Sequence, residues 1–283
     1  MKIISNVKEL QAEIQLVKQG GFSIGFVATM GALHDGHIAL VERSVSENEF
    51  SVVSIFVNPT QFNNLSDLEK YPRNLENDAQ RLASTGCNLI FAPQAADIYT
   101  DEEMNHSFEF DFGGLDKVME GKFRPGHFNG VVQIVSKLFN FVHPDKAYFG
   151  EKDFQQLAII HYMVRLLKLN VEIVDCPIVR EASGLAMSSR NERLTPEERK
   201  YAVNISKVLS ESRNFVAHLS PDALMHWVTD KINELEGFRL EYFEIVDVEN
   251  LLPATSWEKQ TVGCIAVFCG EVRLIDNVRY SSI

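Results

Sequence analysis

Apolar strands alternate with amphipathic helices over residues 1–176, and this alternation constrains the fold more than any other feature. Apolar runs that predict buried strands lie at 22–29, 51–58, 88–93, 145–150 and 171–176. Helical patterns lie at 7–19, 36–47, 74–85, 128–142 and 152–168. Strands joined through helices predict a parallel sheet with helices on both faces, so the fold class is α/β with a Rossmann-like N-terminal domain.

Two local patterns give further expectations. The stretch SFEFDF, at 107–112, alternates in polarity and predicts a half-buried strand. Within the helix at 74–85, the spacing of Leu75, Ala79 and Leu82 predicts that these three residues face the core.

The pattern changes near residue 181, where helices come first and strands follow. Thr195 to Glu198 form a capping box with proline at the first helical position, and Ser220-Pro221 opens a second helix in the same way. Three strand-like stretches follow, at 239–248, 261–268 and 271–278. The sequence therefore predicts two domains, 1–181 and a smaller α+β domain at 182–283 that covers the site.

Charge and hydropathy exclude several classes of protein. The net charge is −12 and no Lys/Arg cluster is visible, which argues against nucleic-acid binding. Apolar runs such as 265–268 are far too short for a membrane helix, and Lys and Glu interrupt the N-terminus where a signal peptide is apolar. We expect a cytoplasmic protein without membrane contact. The four cysteines predict reduced thiols rather than a zinc site.

A polar turn, TMGALHDGH at 29–37, follows the first long strand. His34 and His37 are three residues apart at a predicted helix start, so they share one face, and Gly31 and Gly36 allow close approach of a ligand. A helix N-terminus with two imidazoles suits a phosphate chain. A metal-binding histidine pair and a capped turn with solvated histidines are the alternatives.

Amide side chains follow the next strand, in NPTQF at 58–62. Asn58 and Gln61 can orient carboxylate and hydroxyl groups without titrating, although a plain Asn-Pro turn is also compatible with this motif.

Three other segments carry candidate ligands. In GEKDFQQ (150–156), Lys152 and Gln156 share a helix face beside Asp153, whose alternative role is a favourable charge in a helical first turn. In GLAMSSRN (184–191), two serines and an arginine make a flexible phosphate clamp. RPGHFNG (124–130) supplies Arg124 and His127 just before a helix.

Taken together, the chain resembles the pantoate–β-alanine ligases. The motifs that carry the resemblance lie in the family's order over 29–191: TMGALHDGH, FVNPTQF, YPRN, RPGHFNGV, FGEKDFQQL and GLAMSSRN. The chain departs from the family at Ala28, where a proline is usual. The resemblance implies condensation of D-pantoate with β-alanine through a pantoyl adenylate, with release of AMP and pyrophosphate. It also implies ATP as a substrate, Mg²⁺ carried by ATP with no protein metal ligands, and a homodimer.

The resemblance also implies site residues. His37 is the expected proton donor, and the catalytic group comprises His37, His34, Lys152 and Arg190. ATP-binding residues are expected at Met30, Gly31, Ala32, Leu33, His34, Asp35, Gly36, His37, Gly150, Glu151, Lys152, Asp153, Val179, Met187, Ser188, Ser189 and Arg190. Pantoate-binding residues are expected at Gln61, Gln156, Asn58, Arg124 and His127, with Gln61 also facing β-alanine; Tyr71 is a weaker assignment.

Four other functions remain open at this stage. A nucleotidyltransferase for another small acid would lack the arrangement of Gln61 and Gln156. An aminoacyl-tRNA synthetase is opposed by the acidic charge and by the absence of tRNA-binding additions. A nucleotide-sensing protein would bind ATP without turnover. A purely structural protein gives no reason for the polar turns to converge.

Overall fold

The computed structural model describes residues 1–62, 65–105 and 108–280. The strands are β1 Lys2–Ile4, β2 Ile24–Thr29, β3 Phe50–Ile55, β4 Leu89–Phe91, β5 Lys146–Gly150, β6 Glu172–Cys176, β7 Phe238–Asp247, β8 Thr261–Cys269 and β9 Val272–Tyr280. The α-helices are α1 Val7–Gln19, α2 Asp35–Glu47, α3 Leu65–Glu69, α4 Leu75–Leu82, α5 Ala95–Ile98, α6 Asp101–Asn105, α7 Met119–Phe123, α8 His127–Val142, α9 Phe154–Leu167, α10 Pro196–Ser212 and α11 Pro221–Asn233. Short 3₁₀ helices lie at Pro59–Gln61, Glu151–Asp153, Ser189–Arg193 and Arg213–Phe215.

The chain forms two compact units. Unit 1 comprises 1–114, 124–151 and 159–177, and unit 2 comprises 115–123, 152–158 and 178–283. The prediction that 1–181 binds ATP and pantoate while 182–283 covers the site remains a prediction.

Unit 1 contains a six-stranded parallel sheet in the order β1-β4-β3-β2-β5-β6. The chain runs outward from β2 in one direction through β3 and in the other through β5, so the strand order reverses at β2. In open α/β sheets, ligands bind beyond the carboxyl ends of strands at such a reversal. The predicted polar turns after β2, β3 and β5 therefore follow three neighbouring strands.

The core of unit 1 explains why the central strands are almost wholly apolar. Phe26, Val27 and Val53 have no exposed surface, because helices cover the sheet. Phe26 packs edge-on against Phe139 of α8, with ring centroids 6.2 Å apart. Ala28 pairs with Ser54 in the β2–β3 ladder, so the strand continues to the residue before the turn.

Unit 2 contains the antiparallel sheet β7-β8-β9, which packs with α10 and α11. Both helices begin at the predicted caps: the side chains of Thr195 and Ser220 accept backbone N–H groups of the first turn, and proline follows each cap. Gly270, with φ of 56°, lies in the predicted hairpin between β8 and β9. The α/β fold with a smaller α+β portion is confirmed.

Two local expectations were wrong. Residues 108–112 form no strand, and Ser107 lies outside the described residues. The alternation there reflects aromatic packing, since Phe110 lies edge-on to both Phe112 and Tyr162. In α4, Leu75 is 41% exposed, because the helix begins at this residue and its buried face is made by Asp78 and Leu82.

Candidate functional site

The turn after β2 is fastened to the neighbouring strand. The hydroxyl of Thr29 donates to the carbonyl oxygen of Ser54 at 2.7 Å and accepts the N–H of Gly31 at 3.2 Å. Gly31 has φ of 83° and Ala32 has φ of 49°, so the chain reverses through two left-handed residues. This turn delivers His34 to the N-cap of α2.

The two predicted histidines come together at that helix start. Their ring centroids are 4.0 Å apart with an interplanar angle of 34°. The backbone N–H of His34 donates to Nδ1 of His37 at 3.3 Å, so Nδ1 acts as the acceptor and Nε2 carries the proton of the neutral ring. The helix dipole favours an anion here, and imidazole N–H groups can donate to phosphate oxygens.

A carboxylate from α4 lies beneath the same turn. Asp78 is 1% exposed, and its two oxygens accept the backbone N–H groups of Ala32 at 3.0 Å and Leu33 at 2.7 Å. Because these two N–H groups already donate to Asp78, a contact of Ala32 or Leu33 with ATP would use their other atoms. Arg81, one turn along α4, forms an ion pair with Asp35.

The predicted amides form a buried cluster after β3. Asn58 is 1% exposed and Gln61 is 9% exposed. The amide nitrogen of Asn58 donates to Oε1 of Gln61 at 3.2 Å and to the carbonyl oxygen of Gly130 at 3.1 Å. Asn58 is therefore a bridge within the protein, and Gln61 is held in one orientation.

Two aromatic side chains complete the cluster. The hydroxyl of Tyr99 donates to Oδ1 of Asn58 at 2.8 Å, and burial raises the pKa of Tyr99 to about 12. Nδ1 of His127 lies 2.9 Å from the carbonyl oxygen of Gln61, which can only accept, so this nitrogen carries the proton. His127 thus fixes the backbone of Gln61. Arg124 lies in the preceding turn, where its carbonyl accepts the N–H of His127.

One contact joins the amide cluster to the histidine turn. Nε2 of Gln61 lies 2.9 Å from Sδ of Met30, the residue that follows β2. The group predicted to hold an acid and the segment predicted to hold a nucleotide therefore contact each other. Tyr71, the weaker candidate, is buried and packs edge-on against Phe62 at a centroid distance of 5.8 Å.

Predicted residues of unit 2 form a separate group around the start of α9. Nζ of Lys152 lies 4.0 Å from Oδ2 of Asp153, and their side chains are 17% and 50% exposed. The carbonyl oxygen of Lys152 accepts the side-chain N–H of Asn277 at 3.0 Å. Gln156 is partly buried, whereas the adjacent Gln155 is buried and donates to carbonyl oxygens of 115 and 118.

The loop predicted as a phosphate clamp has a defined backbone. Ser188 accepts the N–H of Arg190 with its side chain and caps the 3₁₀ helix that contains Ser189 and Arg190. The N–H of Met187 donates to the carbonyl oxygen of Val179 at 3.0 Å, so these two predicted residues are neighbours. Gly150 ends β5 in unit 1, and Glu151 opens the following 3₁₀ helix.

Sequence reasoning missed Asp78 and Tyr99. The position of Asp78 carried a signal, because it lies three residues after Leu75 and four before Leu82, on the predicted apolar face of α4. A carboxylate on such a face requires hydrogen-bond donors. Tyr99 carried no local signal, since its partner Asn58 is 41 residues away.

Comparison with known proteins identifies the family of this chain. The family model described as pantoate-β-alanine ligase matches residues 2–279. The chain belongs to the pantoate–β-alanine ligase family. A pantothenate synthetase of Bacteroides thetaiotaomicron is 55% identical, with 100% of each chain covered. The expected family and enzyme class are confirmed.

Solved structures of the pantoate–β-alanine ligase family have the same fold. A Thermus thermophilus pantothenate synthetase superposes with a TM-score of 0.91 at 43% identity, covering 98% of this chain and 99% of that one. A Francisella tularensis ligase, described as complexed with β,γ ATP and β-alanine, has a TM-score of 0.83 at 38% identity, with 98% and 97% covered.

Two features are absent from the part of the chain that the structure describes. Among 1–62, 65–105 and 108–280, no helix has the length and hydropathy of a membrane span. In the same part of the chain, no three His, Cys, Asp or Glu side chains gather closely enough to hold a metal ion.

Proposed function

We propose that this enzyme condenses D-pantoate with β-alanine, using ATP, through a pantoyl adenylate. The observation that carries the proposal is the contact between Gln61 and Met30, because it joins the amides that we expect to bind the acid to the histidine turn that we expect to bind the nucleotide. Membership of the pantoate–β-alanine ligase family and the ATP and β-alanine complex of the Francisella relative support it.

In the first step, a carboxylate oxygen of pantoate attacks the α-phosphorus of ATP. The bond from that phosphorus to the bridging oxygen of the β-phosphate breaks, and pyrophosphate leaves. His34 and His37, at the start of α2, donate hydrogen bonds to phosphate oxygens as negative charge moves toward the leaving group. His37 uses Nε2 for this, since its Nδ1 accepts from the backbone.

In the second step, the amine of β-alanine attacks the acyl carbon of the adenylate. The carbon–oxygen bond to AMP breaks, the amine loses a proton, and an amide forms. Substrates supply both nucleophiles, so the protein needs to align them and stabilise charge. Gln61 orients pantoate and faces β-alanine, and Asn58, Tyr99 and His127 hold Gln61 in place.

Residues of unit 2 are proposed ligands of ATP. Lys152, Ser188, Ser189 and Arg190 provide the charge and hydroxyl groups that suit a triphosphate, and Asp153 suits a ribose. Gln156 is a proposed pantoate ligand. Mg²⁺ enters as the counterion of the triphosphate, because it keeps several waters and prefers phosphate oxygens. The exposed carboxylate of Asp153, near Lys152, would accept hydrogen bonds from Mg²⁺-bound water. We also propose a cytoplasmic homodimer.

Product analysis tests the proposal directly. Purified protein is incubated with Mg-ATP, pantoate and β-alanine, and each component is omitted in turn. We expect AMP and pyrophosphate only when pantoate is present, and pantothenate only when β-alanine is added. Formation of ADP and phosphate would show activation through an acyl phosphate and would contradict these residue roles. ATP binding without turnover would favour a nucleotide sensor.

Replacement of His37 by alanine tests the histidine pair. His37→Ala should lower kcat by about 10²–10⁴-fold, the usual contribution of a positioned proton donor, while the fold is retained. Steady-state kinetics and circular dichroism measure the two effects. His226→Ala is the matched control, because that ring is 72% exposed in unit 2. Equal turnover of a folded His37→Ala protein and the control would remove His37 from catalysis.

A further inference from the structure

Asp78 has the features of a residue that shapes the nucleotide-binding turn. It is buried to 99% of its surface, yet it carries a carboxylate group, which requires strong donors in a buried site. Its two donors are consecutive backbone N–H groups, those of Ala32 and Leu33, at 3.0 and 2.7 Å. Consecutive amides that converge on one anion are a binding arrangement for negative groups, and here the protein supplies the anion itself.

The turn that Asp78 holds has an unfavourable backbone conformation. Gly31 and Ala32 both have positive φ, at 83° and 49°, and the second of them has a side chain. A Cβ at Gly31 would lie 2.9 Å from Oδ2 of Asp78, so the carboxylate also limits the space beside this glycine. The hydrogen bonds that Asp78 accepts from Ala32 and Leu33 therefore stabilise this backbone conformation relative to the ordinary ones.

The same helix fixes the far end of the segment. Arg81, three residues after Asp78, forms an ion pair with Asp35, the first residue of α2. Between these two attachments lies His34, whose N–H donates to His37. One face of α4 thus holds both sides of the histidine that caps α2.

We propose that Asp78 is a positioning residue for ATP, which acts by fixing the turn that presents His34 and His37. This inference rests on the proposed function. Asp78 does not bind ATP in this account; its carboxylate occupies the turn's own amides. Replacement of Asp78 should therefore raise the KM for ATP far more than the KM for β-alanine.

The test compares Asp78→Asn with Glu76→Gln in the full-length protein. Both changes remove one negative charge from α4, but Glu76 is exposed. In Asp78→Asn, an amide NH₂ replaces one acceptor and faces a backbone N–H. We expect the KM for ATP to rise at least tenfold, the KM for β-alanine to stay within twofold, and amide hydrogen exchange at 32 and 33 to accelerate at least tenfold. Glu76→Gln should match the wild type in all three.

Either of two results would overturn the role of Asp78. One is a folded Asp78→Asn protein whose KM values and hydrogen exchange match those of Glu76→Gln. The other is an equal rise in the KM values for ATP and β-alanine, which would indicate general damage to the site. A wild-type protein without turnover would instead overturn the proposed function, so the two failures are distinguishable.

If Asp78→Asn does not fold, Arg81→Gln tests whether attachment of the turn to α4 affects the KM for ATP. Arg81 is 38% exposed, so its replacement spares the core. We expect about a threefold rise in the KM for ATP and faster exchange at 32–35, with no such change in Arg165→Gln, which removes an exposed arginine elsewhere in unit 1. Identical behaviour of the two arginine variants would overturn the proposal.

Discussion

Gly130 shows at the scale of one residue how closely α8 approaches the amide cluster. A Cβ at this position would lie 2.4 Å from the carbonyl oxygen of Thr60 and 2.6 Å from Cα of Gln61. The glycine carbonyl also accepts the side-chain N–H of Asn58. Close contact between two backbones therefore helps to set the position of Gln61, together with the hydrogen bonds of Asn58 and His127.

Gly130→Ala should destabilise the protein, although alanine is the better helix former by about 1 kcal/mol. The clash is with backbone, which cannot move aside, so we expect a net loss of about 2 kcal/mol, typical of overpacking. If Gln61 binds pantoate as proposed, the KM for pantoate should also rise as Gln61 shifts. Urea unfolding and steady-state kinetics measure both effects.

Ser136→Ala on the same helix is the control, since its hydroxyl only donates back to the carbonyl oxygen of Gln133. A Gly130→Ala protein as stable as this control would show that α8 can move away from 60–61 without cost.

At the scale of elements, an ion cluster ties the end of α2 to β5. The carboxylate of Glu47 accepts from Arg43 at 2.9 Å, Lys146 at 3.0 Å and the hydroxyl of Tyr148 at 3.1 Å. These donors, led by Arg43, lower the pKa of Glu47 to about 2 from its ordinary 4.5. A carboxylate with a depressed pKa stabilises the folded state above its unfolded pKa and loses that effect as pH falls.

Glu47→Gln should lower the free energy of unfolding by about 1 kcal/mol at pH 7, because the side chain is about 30% exposed and solvent weakens the ion pairs. The difference from wild type should shrink as pH falls from about 4.5 toward about 2. Denaturation at a series of pH values measures it. Glu42→Gln, exposed on the same helix, should show no such trend. A pH-independent difference would exclude the ion pairs as its cause.

Much of the element order could be predicted from the sequence. Caps and periodicity are local, so α1, α8 and the strands β2 to β9 were predicted to within a few residues, whereas the three-residue strand β1, Lys2–Ile4, was missed. The stretch at 108–112 was not, because alternation alone does not distinguish ladder pairing from packing against Tyr162.

The candidate site was predictable only where its residues follow strands. Asn58 and Gln61 come directly after β3, so their position at the sheet's edge could be predicted. The partner of Asn58 could not be predicted, since Gly130 is 72 residues away. The position of Asp78 on a predicted apolar face indicates that it has buried hydrogen-bond donors, but not that they include the N–H of Ala32, 46 residues away. Local patterns contain no information about such distant partners.

At the scale of the whole molecule, unit 2 is discontinuous in sequence and contains three separate segments of the chain. Arg273 of β9 forms a bidentate ion pair with Glu120 of α7, although the two residues are 153 positions apart in the sequence. The guanidinium nitrogens lie 3.0 and 2.6 Å from the two carboxylate oxygens. Glu120 also accepts the hydroxyl of Tyr242 at 2.9 Å. These contacts attach α7 to the sheet of unit 2.

Glu120→Ala should lower the free energy of unfolding by about 3 kcal/mol, because it leaves a largely buried guanidinium with one carboxylate partner fewer. Combining it with Arg273→Met should recover part of the loss. Lys231→Gln, which breaks an exposed pair in the same unit, should have a much smaller effect on the free energy of unfolding, because solvent screens that pair. Chemical denaturation of the wild type, Glu120→Ala, Arg273→Met and the double variant measures the coupling, and strictly additive losses would contradict it.

The discontinuity of unit 2 has a consequence for protein engineering. A gene fragment that starts at residue 178 encodes Arg273 but neither 115–123 nor 152–158. Chimaeras joined at one crossover near that point would combine α7 from one parent with the sheet from another, and the Glu120–Arg273 pair would have to match across the two parents. Recombination that exchanges all three segments together keeps that pair intact.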